Sequence, residues 1–212
     1  MNDVAYQGPK RGADRAVLLA HGAGADMHAP ALTTVADALA TAKVPSLRFN
    51  FPYKAAGRRG PDRPPVLEAA VRDAAQELAA RAKVPIDRVV LGGRSMGGRI
   101  GSMVAAQDAA LGVVLLGYPL HPPGKADQLR VEHFSNLTMP VLFVSGTRDA
   151  FGTPDELEQH AKRITGRVTF HWISTADHGF KPLKSSGLTP AVALADVAEA
   201  VVDFVASLPS PT

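Results

Sequence analysis

The chain has 212 residues, 46% of them apolar and 20% charged, with a formal net charge of +3 and no cysteine. That length is enough to bury a full core in one domain, the balance is that of an ordered globular protein, and the mild positive charge does not argue for nucleic acid. Without cysteine there are no disulfides and no thiolate-ligated zinc, a composition that fits a cytoplasmic protein.

The first twelve residues, MNDVAYQGPKRG, lack the apolar stretch of a signal peptide. Residues 1–13 are expected to be an extension, 14–208 a single domain and 209–212 a tail. Strand-length apolar runs then follow in order: AVLLA at 16–20, LRFNF at 47–51, VVLG at 89–92, GVVLLG at 112–117, VLFVSG at 141–146 and VTFHWI at 168–173. They are near-continuous rather than alternating, as strands covered on both faces should be. Helix patterns separate most of them. Leu32, Val35, Ala36 and Leu39 share one face, as do Leu67, Val71, Ala74 and Leu78, and later Leu194, Val197, Val201, Val205 and Leu208. Pro30, Pro65, Pro154 and Pro190 stand at expected helix starts, where a missing N–H costs nothing, and Thr153 with Asp155 and Glu156 reads as an N-cap followed by first-turn acids. The irregular loop KAAGRRGPDRPP, 54–65, carries Lys54, Arg58, Arg59 and Arg63 and reads as a solvated charged loop. The late apolar segment 191–206 is broken by Asp196, Glu199 and Asp203, so no membrane span and no membrane partner is expected. Repeated strand–helix–strand units imply a mostly parallel sheet with helices on both faces, a three-layer α/β fold. Too few residues lie between the fourth and fifth runs for a separate cap domain.

The stretch VVLGGRSMGGRI, 89–100, carries the chemistry. Gly93 and Gly98 have the spacing of a phosphate-binding loop, but Arg99 and Ile100 follow where Lys and Ser or Thr are required. A dinucleotide fingerprint fails as well, because Met27 replaces the third glycine after the first strand. Gly93-Arg94-Ser95-Met96-Gly97, by contrast, is G-x-S-x-G between a strand and a helix pattern, the context of a nucleophile elbow that exposes the serine Oγ at the sheet's carboxyl edge. Its acid and then its histidine should follow in the chain, each just past a strand end. His160 falls in a helix pattern and His171 inside a strand, whereas His178, in STADHGF, lies free beyond the last strand. Asp149, in GTRDAFG, follows VLFVSG directly; Asp155 is better explained as a helix-start carboxylate, and Asp177 adjoins the base it would have to orient. Ser95, Asp149 and His178 are therefore the expected triad. The backbone N–H groups of Met96 and of Ala23, in the HGAG loop after the first strand, are the expected oxyanion donors.

His21 and Gly22 in that loop, and Tyr118 and His121 in GYPLHPPGK, are candidates for the substrate pocket, with a rigid proline loop as the plainer account of the last two. His21 and His28 lack a third ligand at suitable spacing, so no metal is expected.

The strings LAHGAGADM, LRFNFPY, GRRGPDRPP, GGRSMGGR, GYPLHPPGK, GTRDAFGTP and DHGFKP resemble the α/β-hydrolase superfamily. More narrowly they resemble its small branch that includes testis-expressed protein 30 and subunit 3 of the non-specific lethal chromatin complex, with dienelactone-hydrolase-like enzymes as neighbours. The resemblance runs from about residue 14 to 208. It implies a serine hydrolase without cofactor or metal, acting on a small-molecule acyl substrate. Cleavage of small carboxylic esters, thioesters or lactones is the first expectation, and a hydrolase-fold interaction module the second.

Overall fold

The computed structural model describes residues 4–211. Seven strands form one sheet in the order β1-β3-β2-β4-β5-β6-β7, where β1 is Val4–Gln7, β2 Ala16–Ala20, β3 Ser46–Phe49, β4 Val89–Arg94, β5 Gly112–Leu116, β6 Val141–Gly146 and β7 Val168–Ile173. All neighbours run parallel except β1, which pairs antiparallel with β3, Val4 opposite Phe49. The strand order reverses at β2. The chain leaves β2, crosses to β3 on one side and then to β4 on the other, so a crevice opens beyond the carboxyl ends of β2 and β4.

Six helices cover the sheet: α1 Pro30–Thr41, α2 Pro52–Ala55, α3 Pro64–Ala82, α4 Met96–Ala105, α5 Pro154–Ala161 and α6 Pro190–Ala206. Successive residues of a strand point to opposite faces, and both faces here are buried. Ala16, Leu18 and Ala20 of β2 join a core with α3, α4 and α5, while Val17 and Leu19 join a second core with α1 and α6. That double burial is the cause of the unbroken apolar runs. β7 differs: as an edge strand it is only half-buried over most of its length, and its Phe170 and Trp172 rings stack on one another at 5.2 Å.

Every helix except α4 has proline at its first turn, and α3 begins at Pro64 rather than Pro65. At α5 the capping box is complete, with Thr153 Oγ1 accepting from the Glu156 amide and the Glu156 carboxylate accepting from the Thr153 amide. A cap of this kind is worth about 1 kcal/mol. Two elements lie outside the sequence expectation. Residues 4–7, assigned to an extension, form the edge strand β1, and LRFNF ends as a strand at Phe49 because Phe51 and Pro52 start the one-turn helix α2. Between β5 and β6 the described chain holds no helix longer than the single 3-10 turn Phe134–Asn136. No helix among the described residues is long and apolar enough to cross a membrane.

Candidate active site

β4 runs one step past its glycines to Arg94, and Ser95 then turns the chain into α4 with φ 50° and ψ −116°. For a non-glycine residue that conformation is strained, and the surroundings impose it. The turn is pressed against β2 so closely that a Cβ on Gly93 would stand 2.2 Å from the Ala20 carbonyl oxygen and one on Gly97 2.3 Å from it. Any side chain at either position would push the elbow off the sheet.

The two partners arrive from later strand ends. His178, in the loop after β7, places Nε2 3.0 Å from Ser95 Oγ and Nδ1 2.7 Å from Asp149 Oδ2. A carboxylate only accepts, so Nδ1 carries the proton and Nε2 is left to accept from the serine. Asp149 is 1% exposed and has a donor on each oxygen, since Oδ1 accepts from the Phe151 amide at 2.8 Å. The Phe151 ring stacks on the imidazole at 4.1 Å and covers it. Asp177 is elsewhere engaged: its Oδ1 accepts from the amides of Gly179 and Lys181 and shapes the loop that carries His178.

The HGAG loop stands beside the serine; a Cβ built on Gly22 would lie 3.6 Å from Ser95 Cβ. Its carbonyls are tied back into the protein. The Gly22 carbonyl accepts from His21 Nδ1 at 2.8 Å and from the Ala25 amide at 3.1 Å, and the Ala23 carbonyl accepts from the Tyr53 hydroxyl at 2.8 Å. A trans peptide holds its C=O and N–H antiparallel, so fixing the Gly22 carbonyl also fixes the Ala23 N–H, pointing the opposite way. Neither that N–H nor the Met96 N–H, at the first turn of α4, makes a hydrogen bond within the described residues. His21 Nε2 accepts from the Phe51 amide at 3.1 Å, which requires the neutral ring, and burial lowers its pKa in the direction that keeps it neutral.

These groups border a cavity of about 820 Å³ with Ser95, Met96 and His178 on its wall together with Gly22 and Ala23. Three candidates are placed differently. Tyr118 is fully buried, its ring against Phe134 and Phe143 and its hydroxyl donating to the Arg130 carbonyl at 2.6 Å. His121 is 6% exposed, bonded through Nδ1 to the Pro122 carbonyl. His21 is wholly buried behind the loop rather than in the cavity. The chain after β5 folds inward as soon as it leaves the strand, so these loop side chains become core. Residues that motif spacing did not mark also border the site. Arg94 donates to the His178 carbonyl through Nη2 and lies 5.2 Å from the Phe180 ring centre, bracing the histidine loop. Burial lowers the pKa of its guanidinium, an effect opposed by Asp149 and Asp177.

A mostly parallel, helix-covered sheet with this crevice, and with a strained serine held at its central strand end, is the architecture of the α/β hydrolases. The chain belongs to the alpha/beta hydrolase domain family, which it matches over residues 13–206. Solved structures share the fold at low identity. An alpha-beta serine hydrolase homologue from Coxiella burnetii is 22% identical with a TM-score of 0.70, over 95% of this chain and 90% of that one. Dienelactone hydrolase from Anabaena variabilis is 21% identical with a TM-score of 0.72, over 97% and 92%. A Xanthomonas campestris a/b serine hydrolase without lid is 19% identical with a TM-score of 0.68, over 99% and 91%.

Proposed function

We propose that the protein is a serine hydrolase cleaving small carboxylic esters, thioesters or lactones through an acyl-enzyme on Ser95. The observation that carries this reading is the continuous relay from Ser95 Oγ through His178 to Asp149, built on a serine held at positive φ. A serine hydroxyl is a weak nucleophile at neutral pH, so His178 Nε2 takes its proton as Oγ attacks the carbonyl carbon. Asp149 holds the imidazole in the required tautomer and stabilises the imidazolium. The tetrahedral oxyanion is met by the N–H groups of Met96 and Ala23, which are held in place before the reaction and need no reorganisation during it. His178 then protonates the departing alcohol or thiol, and a water deprotonated by the same nitrogen hydrolyses the acyl-enzyme to free acid and serine.

The resemblance to the branch containing testis-expressed protein 30 and non-specific lethal complex subunit 3 belongs to this proposal, resting on strings such as GYPLHPPGK and GTRDAFGTP. The test is covalent labelling. A fluorophosphonate should modify Ser95 in the folded protein, identified by peptide mapping, and Ser95→Ala should abolish the label. A folded protein that takes no label, or takes it elsewhere, overturns the hydrolase reading in favour of an interaction module.

A further inference from the structure

The cavity beside Ser95 is lined by four cationic side chains, Arg94, Arg99, Arg130 and Lys181, and by no carboxylate among the described residues. Elsewhere on the molecule arginines find acids: Arg15 and Arg88 pair with Asp14, Arg58 with Asp62 and Arg72 with Asp108. Arg94, Arg99 and Arg130 form no ion pair among the described residues. Arg94 is occupied by the His178 carbonyl and the Phe180 ring. Arg99 and Arg130 are not so engaged. The Arg99 side chain has a buried Nε without a hydrogen-bond partner, while Arg130 gives only Nη1, to the Pro119 carbonyl at 3.2 Å.

Both arginines are anchored through their backbones. The Arg99 amide donates to the Ser95 carbonyl at 3.0 Å and its carbonyl accepts from Ser102 Oγ at 2.8 Å, while the Arg130 amide donates to the Leu120 carbonyl and its carbonyl accepts from Tyr118. Burial, and then the neighbouring charge of Arg99, lower the pKa of Arg130. Two partly desolvated like charges side by side are unfavourable unless an anion joins them, and a guanidinium fork matches a carboxylate or phosphate in two parallel hydrogen bonds.

We propose that Arg99 and Arg130 form an anion subsite of the cavity, so that the substrate is an ester carrying a second, anionic group, a carboxylate or a phosphate, a few bonds from the scissile carbonyl. Arg99 stands one helical turn beyond Ser95 on α4, and both line the same cavity, so short dicarboxylic half-esters are the first substrates to try. The inference rests on the hydrolase reading for its chemistry, and the hydrolytic step is unchanged by it.

The test compares charged and neutral esters that are otherwise alike, with acid release followed by pH-stat titration. Monomethyl glutarate against methyl pentanoate probes a carboxylate on the acyl side, and butyryl glycerol phosphate against monobutyrin a phosphate on the alcohol side. In the wild-type protein at least one charged ester should exceed its neutral partner in kcat/KM by about tenfold. Arg99→Gln and Arg130→Gln should each collapse that ratio, a readout from which any general loss of activity cancels. Raising the salt should lower the ratio in the wild-type protein too, which needs no variant to fold. Ratios near one for both pairs overturn the subsite while leaving the hydrolase standing. If no ester is hydrolysed, calorimetric titration of Ser95→Ala with glutarate and with inorganic phosphate decides: binding lost on adding Arg99→Gln supports the subsite alone, and no binding overturns it.

Discussion

Replacing Asp149 by asparagine tests the proposed relay at its least exposed member. The carboxylate accepts from two donors at once, the Phe151 amide on Oδ1 at 2.8 Å and His178 Nδ1 on Oδ2 at 2.7 Å. An asparagine has one oxygen and one NH₂ for the same two places. With its oxygen toward Phe151, the NH₂ faces Nδ1, which must then accept, so the proton moves to Nε2 and the serine loses its base. With its oxygen toward His178, the NH₂ meets the Phe151 N–H and one donor is left buried without a partner. The second arrangement costs about 1–3 kcal/mol in stability; the first should lower kcat by about 10⁴, or about 5.4 kcal/mol of barrier. Asp177→Asn makes the matched control, since one oxygen accepts both of its amide bonds and an asparagine keeps that oxygen. We expect less than a fivefold change there. Both variants are to be assayed for kcat on one short ester, with circular dichroism to establish folding. A crippled Asp177→Asn beside a nearly normal Asp149→Asn would refute the reasoning.

Tyr53→Phe removes the donor that holds the Ala23 carbonyl. Because loss of an oxyanion donor costs 10²–10³ in rate, a loosened one should cost about tenfold in kcat with KM little changed; an unaltered kcat would separate Tyr53 from the oxyanion loop. Stability should also fall with acid. Burial holds the His133 pKa at about 4, against 6.5 when unfolded, so the unfolded chain takes up the proton first. Stability is full above 6.5 and declines as pH falls toward 4. Between pH 7 and 5 the loss is about 2 kcal/mol, to be measured by urea unfolding; an equal loss in His133→Gln would exclude His133 as its source. Because no cap closes the cavity, acetyl to butyryl esters should have higher kcat/KM than dodecanoyl esters, and a profile rising steadily past octanoyl would contradict the open-pocket reading.

The parts legible in the sequence are those in which a local pattern and its structural cause coincide. The elbow is contiguous, and its glycines are demanded by contacts with β2 that any such turn makes. The strands β2 to β6 are visible because both faces of the sheet are covered there, and β7 because its half-buried edge still carries Val168, Phe170, Trp172 and Ile173. β1 escaped notice because Val4–Gln7 is short, half-buried and flanked by polar residues, and its place depends on the free edge of β3. Tyr118 and His121 were expected at the pocket because they follow a strand end, but the direction a loop takes is set by Phe134 and Phe143 beneath it. Tyr53, Arg94 and Arg130 act on backbone carbonyls far along the chain, and such contacts impose no residue spacing that could be recognised beforehand.

The sheet's order also sets when the site comes into being. Its middle is encoded early, for β2, β3 and β4 are neighbours, whereas β5, β6 and β7 are added outward in sequence. A nascent chain that has emerged as far as β5 holds the strands that the elbow's backbone is pressed against, yet its serine has no base, because His178 lies 83 residues downstream and beyond the final strand. Contacts of such long separation form late, after the entropy of closing the intervening loop has been overcome. On the relay proposed here, the growing polypeptide therefore carries an inert hydroxyl on the ribosome, and acylating power appears only when the last edge of the sheet has docked.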